Sequence, residues 1–492
     1  MYFFIFFELG IRGGLVQASG RHAKANNPKT PGYKAEEPNT WLVYQDCNNL
    51  YGWAMSEYMP YGGFSWYAGN PDVALAQLEW MSDTDDVGRV YEVDISYPRH
   101  LHDEHNDMPF LPHASIPRGS AVRMLMATFE RKVHYVVHYS NLKQAIANGL
   151  VVDKVHRVLE FRQSPWLAPY IALNTEMRKR VTNEFEKKFF KAQNNSVFGN
   201  TMENVRNRFD MKLVSCPQKM RKLINRPTFK QCTIYSENLA AVSMHKKEID
   251  FCKPIYIGFA VLERSKTLMY DYHYNVMKRH YGDKITLLYT DTGTFPLVSS
   301  VDGRLLQRLG GQPELDEPVT CHVQAIERLS EHVANRTDTS NLPPDHACYT
   351  SARKRIPGLF KDETGGRTMY EFVALRAKSY AYDIEHSTTI RAKGIRGHVI
   401  RNHLTFDDYK RCLFAADNDD DVESDERDDE FDAHMGKLIA SSCARQVIAC
   451  LHAAAASTTP STSYPLPPPP PQPLTQRSYE LYTPYRENVS IR

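Results

Sequence analysis

Two short apolar runs indicate buried strands, and each ends beside an acidic side chain. Residues 41–44 read Trp-Leu-Val-Tyr, and Asp46 follows the end of this run. Residues 285–290 are rich in β-branched and aromatic side chains, and the Asp-Thr-Gly-Thr sequence at residues 291–294 has the composition of a tight turn. The pattern therefore predicts a buried strand before Asp46 and a hairpin strand that leads into the turn.

A longer segment, residues 174–191, has the spacing of an amphipathic helix. Asn174 is placed to cap its first turn. Apolar side chains recur every four residues at Met177, Val181, Phe185 and Phe189. Because helices and strands mix along the chain without a regular βαβ alternation, the pattern predicts an α+β fold.

The two ends of the chain differ from its middle. The opening residues, MYFFIFFELG, are apolar but fall short of the roughly 20 apolar residues that a membrane span needs, so we expect a strand fragment there. Residues 407–432 hold thirteen acidic and three basic side chains, and an unbroken proline run covers residues 467–471. This composition predicts a disordered tail over residues 413–492.

Composition and charge narrow the function classes only slightly. The 492 residues allow roughly two to four domains, and the 42% apolar content is enough for sizeable cores. A net charge of +2 gives no global sign of a nucleic-acid partner. The nine cysteines contain no CxxC pair and no metal-ligand spacing, so we interpret them as reduced thiols of an intracellular protein that is not secreted.

Two short motifs bring an aspartate to the end of a predicted strand. Asp46 is followed five residues later by Tyr51, with a tight turn between them. Asp291 is followed by Gly293 and Thr294 at the tip of the predicted hairpin. An aspartate in either place is also a common turn residue, so neither motif identifies a function when taken alone.

Between these two motifs in the chain lies a basic motif, which begins at the end of the predicted helix. Lys191 comes four residues after Lys187 and eleven after Arg180, so at about 100° per residue the three side chains share nearly one face. Such a stripe suits a triphosphate, and a solvated helix face is the alternative. Asn195 and Phe198 complete this motif.

Taken together and in their order along the chain, with the Asp46 motif first, the Lys191 motif second and the Asp291 motif third, the three resemble the catalytic motifs of family B DNA polymerases. The second resembles K-x3-N-S-x-Y-G with Phe198 in the place of the tyrosine, and the third resembles Y-x-D-T-D-S with Gly293 where the second aspartate belongs. Residues 11–14, Ile-Arg-Gly-Gly, are similar to the glycine-rich segment that touches the template, and residues 376–380 are similar to the K-x-Y motif near the thumb. Longer blocks resemble the protein-primed polymerases of viruses, linear plasmids and large self-replicating DNA transposons.

The resemblance implies a right-hand polymerase core with an antiparallel palm sheet, helical fingers and a thumb. It covers about residues 8–412, with a divergent stretch at 296–335. The implied boundaries are palm at 1–164 and 236–345 with a terminal-protein-type insertion at about 66–150, fingers at 165–235, thumb at 346–412 and tail at 413–492.

The resemblance also implies two divalent cations, Mg²⁺ with Mn²⁺ as the alternative, held by carboxylates from two adjacent palm strands. Asp46 and Asp291 would be the catalytic residues and the metal ligands. The aspartate that usually completes the pair is replaced by Gly293.

Further residues are assigned to substrate binding by the resemblance. Tyr51 would lie under the incoming sugar and exclude a 2′-hydroxyl. The nucleotide-binding set is Tyr51, Arg180 (or Lys179), Lys191, Asn195 and Phe198. The DNA-binding set is Arg12, Gly13, Gly14, Lys378 and Tyr380. Residues 206–230, with eight basic side chains and one acidic, either follow a phosphate backbone or form a solvated loop.

The sequence thus predicts a DNA-directed DNA polymerase that acts on primer-template DNA and deoxynucleoside triphosphates. A terminal priming protein is a further expected partner, and no association with a membrane is expected. If the chain comes from a eukaryotic element, we expect it in the nucleus. Two alternatives stay open. One is an inactive polymerase remnant that keeps its fold and DNA affinity, which Gly293 and Pro296 favour. The other is a scaffold that binds the terminal protein without templated synthesis.

Overall fold

The computed structural model describes residues 2–117, 122–300, 336–346 and 348–414. Residues 301–335 of the predicted divergent stretch and residues 415–492 of the predicted tail lie outside the described residues. Within the described ranges, helices mix with strands that are paired almost entirely antiparallel. The mixed helix-and-strand character expected from the sequence is therefore confirmed.

The strands are given in chain order. They are β1 Val16–Ala18, β2 His22–Lys24, β3 Thr40–Cys47, β4 Met59–Trp66, β5 Val87–Ser96, β6 His113–Ser115, β7 Met124–Met126, β8 Lys132–His138, β9 Val151–Ser164, β10 Phe209–Val214, β11 Phe229–Ser236, β12 Leu239–His245, β13 Ile285–Leu287, β14 Tyr289–Asp291, β15 Thr294–Ser300, β16 Thr337–Asp338, β17 Phe360–Asp362, β18 Met369–Arg376, β19 Ser379–Ile384 and β20 Ser387–Ala392.

The α-helices are α1 Tyr2–Gly10, α2 Leu50–Ser56, α3 Pro71–Gln77, α4 Tyr139–Ala147, α5 Ala168–Arg180, α6 Glu184–Thr201, α7 Pro217–Ile224, α8 Ile255–Tyr270, α9 Arg279–Tyr281, α10 Gly397–His403 and α11 Phe406–Phe414. A π-helix, Asp271–Lys278, joins α8 to α9. Short 3-10 helices cover Leu78–Trp80, Arg99–Leu101, Val205–Asn207 and Gly282–Lys284. In the described ranges no helix has both the length and the apolar character needed to cross a lipid bilayer.

The largest sheet carries the predicted strands at its centre. Its strand order is β1-β14-β15-β3-β18-β19-β20, with β13 beside β15, β17 beside β3 and β2 beside β18. Strand β3 is buried along almost its whole length, which explains why residues 41–44 are apolar without alternation. The buried strand predicted before Asp46 is confirmed, and Asp46 itself lies inside β3 rather than after it.

The predicted strand at residues 285–290 is divided into β13 and β14 at Leu288. Leu287 pairs with Leu297 and Asp291 pairs with Thr294, so three residues on one side of the hairpin face two on the other. This irregularity lies opposite Pro296, which has no N–H to donate to the ladder. The sheet thus accommodates Pro296 in an interior strand, paired with Tyr44 of β3.

The single helix predicted for residues 174–191 is wrong, because the chain forms two helices there. Helix α5 ends at Arg180, and Val181 is extended, with ψ of 140°. The Asn183 side chain then accepts a hydrogen bond from the Phe185 N–H and caps α6. Asn174 lies inside α5 and is buried, so it caps no helix. Arg180 therefore does not share a helix with Lys191, and the single basic stripe is corrected.

The strand fragment expected at the start of the chain is also wrong. Residues Tyr2–Gly10 form an α-helix, α1, in which Phe6 and Phe7 are almost fully buried. Phe6 packs edge-on against Trp66 at 5.1 Å between ring centroids, and Phe7 packs against Phe259 at 5.4 Å. The run is apolar because the helix lies between β4 and α8, so its pattern does not distinguish the two structures.

Three smaller sheets overlap the parts predicted as insertion and fingers. The sheet β4-β9-β5-β8 joins β5 and β8 of the expected insertion to β4 and β9, which flank it, and β6 pairs with β7 inside the insertion. The order β10-β12-β11 forms a three-stranded sheet that α7 covers. The expected boundary at residue 235 falls inside the hairpin between β11 and β12. Five of the eight basic side chains of residues 206–230 thus lie on strands or on α7 rather than in an open loop.

Candidate functional site

Four residues form a row across one face of the large sheet. Asp291 of β14 pairs with Thr294 of β15, Thr294 pairs with Asp46 of β3, and Asp46 pairs with Lys361 of β17. Directly paired residues of antiparallel strands point to the same face. The two predicted aspartates therefore share a face, but β15 lies between their strands. At one strand spacing per pair, their backbones are about 10 Å apart, so the expectation of adjacent strands is corrected.

Asp46 is held by the strand between the two aspartates. The Thr294 hydroxyl donates a hydrogen bond of 2.9 Å to Oδ1 of Asp46. The pKa of Asp46 is raised to about 6, chiefly by burial. The Thr294 hydrogen bond and the charges of Lys361 and Lys191 act to lower this pKa, and the charge of Glu363 acts to raise it. Lys191, from the basic motif, is thus close enough to influence this carboxylate.

Asp291 has a different partner. The ammonium of Lys378 binds both carboxylate oxygens and lies 2.6 Å from Oδ2. Lys378 sits at the turn between β18 and β19 with a φ of 62°, and its N–H donates to the Tyr289 hydroxyl at 2.9 Å. The predicted primer-binding lysine is therefore brought to a predicted catalytic aspartate.

The turn between β14 and β15 leaves a position without a side chain. Gly293 accepts a hydrogen bond from the Cys47 N–H through its carbonyl, and a Cβ added there would lie 3.4 Å from Leu50 and 3.7 Å from Cys47. Those are ordinary van der Waals distances. The left-handed position of the turn is Thr292, with a φ of 62°, and not Gly293. The turn therefore does not require glycine at 293.

The carboxylates present do not complete the ligand set for two Mg²⁺ ions. Position 293 offers no oxygen, and Asp291 is bound by Lys378. Across the described ranges, no cluster of three or more His, Cys, Asp or Glu side chains has an arrangement that could hold a metal ion. The two-cation site expected from the resemblance is thus incomplete in the chain as it stands.

The predicted nucleotide-binding residues fall into two groups. The Tyr51 ring, on α2, packs against the Phe198 ring, on α6, at 4.4 Å between centroids. Burial and the charge of Asp291 raise the pKa of Tyr51, and Tyr51 lines a pocket together with Thr292 of the third motif. Lys191 and Asn195 are exposed on the same helix as Phe198.

Arg180 does not join this group. Its side chain is 71% exposed and pairs with Glu176 one turn earlier in α5 at 3.0 Å. An exposed pair of this kind contributes little to stability and can be broken by a ligand. Lys179 is also exposed at the end of α5. The assignment of either residue to a triphosphate stays a prediction.

The glycine-rich segment meets the other motifs at a pocket. Gly14, Tyr51 and Thr292 line it together with Lys266, which is buried in α8. A Cβ on Gly14 would lie 2.3 Å from the Thr292 hydroxyl, so only glycine allows this approach. Gly13 has a φ of 81°, which also favours glycine.

Two residues of the predicted DNA-binding set are used inside the protein. The Arg12 guanidinium stacks 3.6 Å from the centre of the Tyr135 ring and donates to the Val136 carbonyl at 2.7 Å. Tyr380 is 8% exposed, and its hydroxyl is 3.0 Å from the hydroxyl of Tyr44. Arg12 is thus bound to β8 and Tyr380 is bound within the large sheet, and contact with DNA stays a prediction for both.

The sequence pattern missed Lys361 and Glu363. Lys361 pairs with Asp46 in register, and its ammonium binds Glu363 at 2.6 Å. Strand β17 is three residues long, which is too short to show a period-two pattern. The sequence did contain one sign of a turn before this strand, which is Gly358. In the structure Gly358 has a φ of 85°, a conformation that favours glycine.

Comparisons with known proteins complete the description of the site. No family model matches the sequence, and no curated protein matches it either. Phi29 DNA polymerase in an orthorhombic crystal form is a similar solved structure, with 12% sequence identity, 83% of this chain and 58% of that chain covered, and a TM-score of 0.47. The ternary complex of Phi29 DNA polymerase with primer-template DNA and incoming nucleotide substrates has the same identity and coverage and a TM-score of 0.48. The chain thus spans less than two thirds of the solved chains that it is similar to.

Proposed function

We propose that this chain is a DNA-directed DNA polymerase domain that binds primer-template DNA and a deoxynucleoside triphosphate. The observation that carries the proposal is the row of Asp291, Thr294 and Asp46 on one face of an antiparallel sheet. Tyr51, from the first motif, and Phe198, from the second, pack together beside it. Three motifs that are spread over residues 46–294 thus meet at one place, as the polymerase resemblance requires.

The reaction would join the 3′-oxygen of a primer to the α-phosphate of the nucleotide, with release of pyrophosphate. Lys191 would neutralise the triphosphate, and the Tyr51 ring would support the deoxyribose. Lys378 would leave Asp291 and bind the phosphate nearest the primer end. Because position 293 has no carboxylate, we infer that transfer by the chain as it stands is slow.

A second candidate is an inactive remnant that keeps the fold and DNA affinity. Two observations favour it: Gly293 has no side chain, and the remaining aspartate of that motif is bound by Lys378.

The proposal includes replication that is primed by a protein. Strands β5 to β8 lie within the expected insertion, where a terminal protein would bind.

The test is a primer-template binding titration followed by primer extension with Mg²⁺ and with Mn²⁺. We expect specific binding to a primer-template junction over single-stranded DNA, together with weak extension. Binding without any extension under either cation supports the remnant. Absence of primer-template binding contradicts both candidates.

A further inference from the structure

Two arginines from different parts of the chain meet without an acidic partner. The Arg355 guanidinium donates a hydrogen bond of 3.0 Å from Nη1 to the backbone carbonyl of Arg178, in α5. Neither side chain forms an ion pair within the described ranges. The Nε of Arg178 is buried and has no hydrogen-bond partner there. The Arg355 guanidinium thus lies against the backbone of Arg178, and the Arg178 side chain carries a buried donor that lacks an acceptor.

The electrostatics of this place are positive. Burial lowers the pKa of Arg178, and the charge of Arg355 lowers it further, whereas Glu184 acts in the opposite direction. Glu184 is itself exposed and paired with Lys187 at 2.6 Å. Like charges in a partly buried location repel each other, and an anion between them would remove that repulsion.

Arg355 is held at a fixed place relative to the first motif. Its backbone has a φ of 58°, and its N–H donates to Oδ2 of Asp338 at 2.9 Å. The same oxygen accepts a hydrogen bond of 2.6 Å from the side chain of Asn48, which is two residues after Asp46. Residues around Arg355 are joined to this turn again, since the Gly358 N–H donates to the Asn48 carbonyl at 2.8 Å. The arginine pair therefore bridges α5 and the end of β3.

We propose that Arg178 and Arg355 form a phosphate-binding site that takes the terminal phosphates of a nucleoside triphosphate and, after transfer, the pyrophosphate. Guanidinium groups bind phosphate oxygens in a bidentate manner, and two of them suit a polyphosphate better than a single phosphate. The identification of the ligand as a nucleotide rests on the proposed function. The phosphate chemistry rests on the two arginines alone. A DNA backbone phosphate is the other source of the same chemistry, and the bridge to the Asp46 strand favours the nucleotide.

The test is a calorimetric titration of the full chain with inorganic tripolyphosphate. We expect the unsubstituted chain to bind it, and Arg355→Gln and Arg178→Gln each to weaken binding by about tenfold or more. Lys354→Gln is the matched control, because Lys354 is exposed and adjacent to Arg355; its affinity should stay within about twofold. Arg355→Lys keeps the charge and should recover part of the loss.

Several outcomes overturn the proposal. Equal affinity of Arg355→Gln and the unsubstituted chain does so, and so does an equal loss in Lys354→Gln. Thermal melting of each variant identifies any that fail to fold, and for those Arg355→Lys replaces the glutamine variant.

A parallel titration with primer-template DNA in the absence of nucleotide should be unchanged by Arg355→Gln. A loss there as large as for tripolyphosphate assigns the site to the DNA backbone and overturns the polyphosphate assignment. If the unsubstituted chain binds tripolyphosphate but no primer-template DNA, the proposed polymerase function fails and this site stands.

Discussion

The ammonium of Lys378 lies 2.6 Å from Oδ2 of Asp291, so a predicted DNA-binding cation neutralises a predicted catalytic carboxylate in the free protein. The two side chains are 34% and 26% exposed, so solvent screens the pair. Lys378 can therefore leave Asp291 and bind a DNA phosphate instead when DNA binds.

Replacement of Lys378 by alanine should weaken primer-template binding and reduce its dependence on salt. Loss of one phosphate contact reduces the slope of log affinity against log salt by about 0.9. Fluorescence anisotropy over a series of salt concentrations measures both. Lys29→Ala, at an exposed lysine, is the control and should leave the slope unchanged. An unchanged slope in Lys378→Ala would mean that Lys378 stays on Asp291 and never contacts DNA.

Replacement of Gly293 by aspartate should increase primer extension. Removal of one preorganised group at a transition state reduces rates by about 10²- to 10³-fold, so its return should give a gain of that order. The substitution should not unfold the chain, because a Cβ at 293 makes only ordinary contacts with Leu50 and Cys47. Single-turnover extension rates with Mg²⁺ measure the gain.

Gly293→Asn is the control for that substitution, because it has the same shape without the negative charge. We expect it to extend primers no faster than the unsubstituted chain. If Gly293→Asp gains nothing while it still binds primer-template DNA, the lost carboxylate is not what limits transfer.

Tyr51 should set the choice of sugar. Its ring packs against Phe198 beside the row of aspartates, where the resemblance places the deoxyribose. On the Gly293→Asp background, Tyr51→Ala should reduce the preference for deoxyribonucleotides over ribonucleotides by about tenfold or more, because a steric barrier is removed. Competing incorporation of the two nucleotide types measures this ratio. Tyr51→Phe keeps the ring and should keep the preference. An unchanged ratio in Tyr51→Ala would assign the sugar contact elsewhere.

The stability of the protein should depend on the ionisation of Asp46. The pKa of Asp46 is raised from 3.8 to about 6 by burial, so folding favours the protonated form. This contribution to stability is fully present below about pH 4 and is lost as pH rises through about 6. The shift corresponds to at most about 3 kcal/mol. In EDTA, Asp46→Asn should therefore be more stable than the unsubstituted chain at pH 7, and the difference should disappear near pH 4.

Chemical denaturation at a series of pH values measures that difference. Asn keeps an oxygen that accepts the hydrogen bond from Thr294, so the comparison isolates the charge. If Asp46→Asn is the less stable protein at pH 7, the ionised carboxylate is better solvated than its burial implies. His105→Gln, far from this row in sequence, should not reproduce the effect near pH 6, because burial lowers the pKa of His105 to about 4.

The central strands were predictable from sequence because burial on both faces leaves an unbroken apolar run, as in residues 41–44 of β3. The break between α5 and α6 was not, because the apolar spacing continues through it. Helix α5 ends because the next residues favour other structures. Val181 and Thr182 are β-branched, and Asn183 caps the first turn of a new helix. Helix α1 was misassigned because its run is apolar on every side, including the exposed Ile5 and Leu9, so it shows no helical period.

The candidate site divides in the same way. Motif order selected Asp46, Tyr51 and Asp291, each at or near the end of its own element, and their catalytic and binding roles stay predictions. Lys361 and Arg355 could not be found, since only pairing with β3 and the fold of residues 336–360 bring them to these positions. The internal roles of Arg12 and Tyr380 were hidden for the same reason: a motif records which residues are near a site, not which atoms their side chains bind.

The pairing of β15 on both sides has a consequence for insertions and deletions. Thr294 faces Asp46 only because the side chains of a strand alternate between the two faces. Suppose that one residue is inserted into β3 or deleted from it before Asp46, and that the preceding residues of the strand keep their pairing. The Asp46 carboxylate would then point to the opposite face of the sheet, into the protein interior. A change of two residues would return it to the same face. The position of the Asp46 carboxylate therefore depends on whether the number of residues before it in β3 changes by an odd or an even number. Copies of this gene that differ there by an odd number of codons should lose the row of aspartates, even where every residue of the motifs is unchanged.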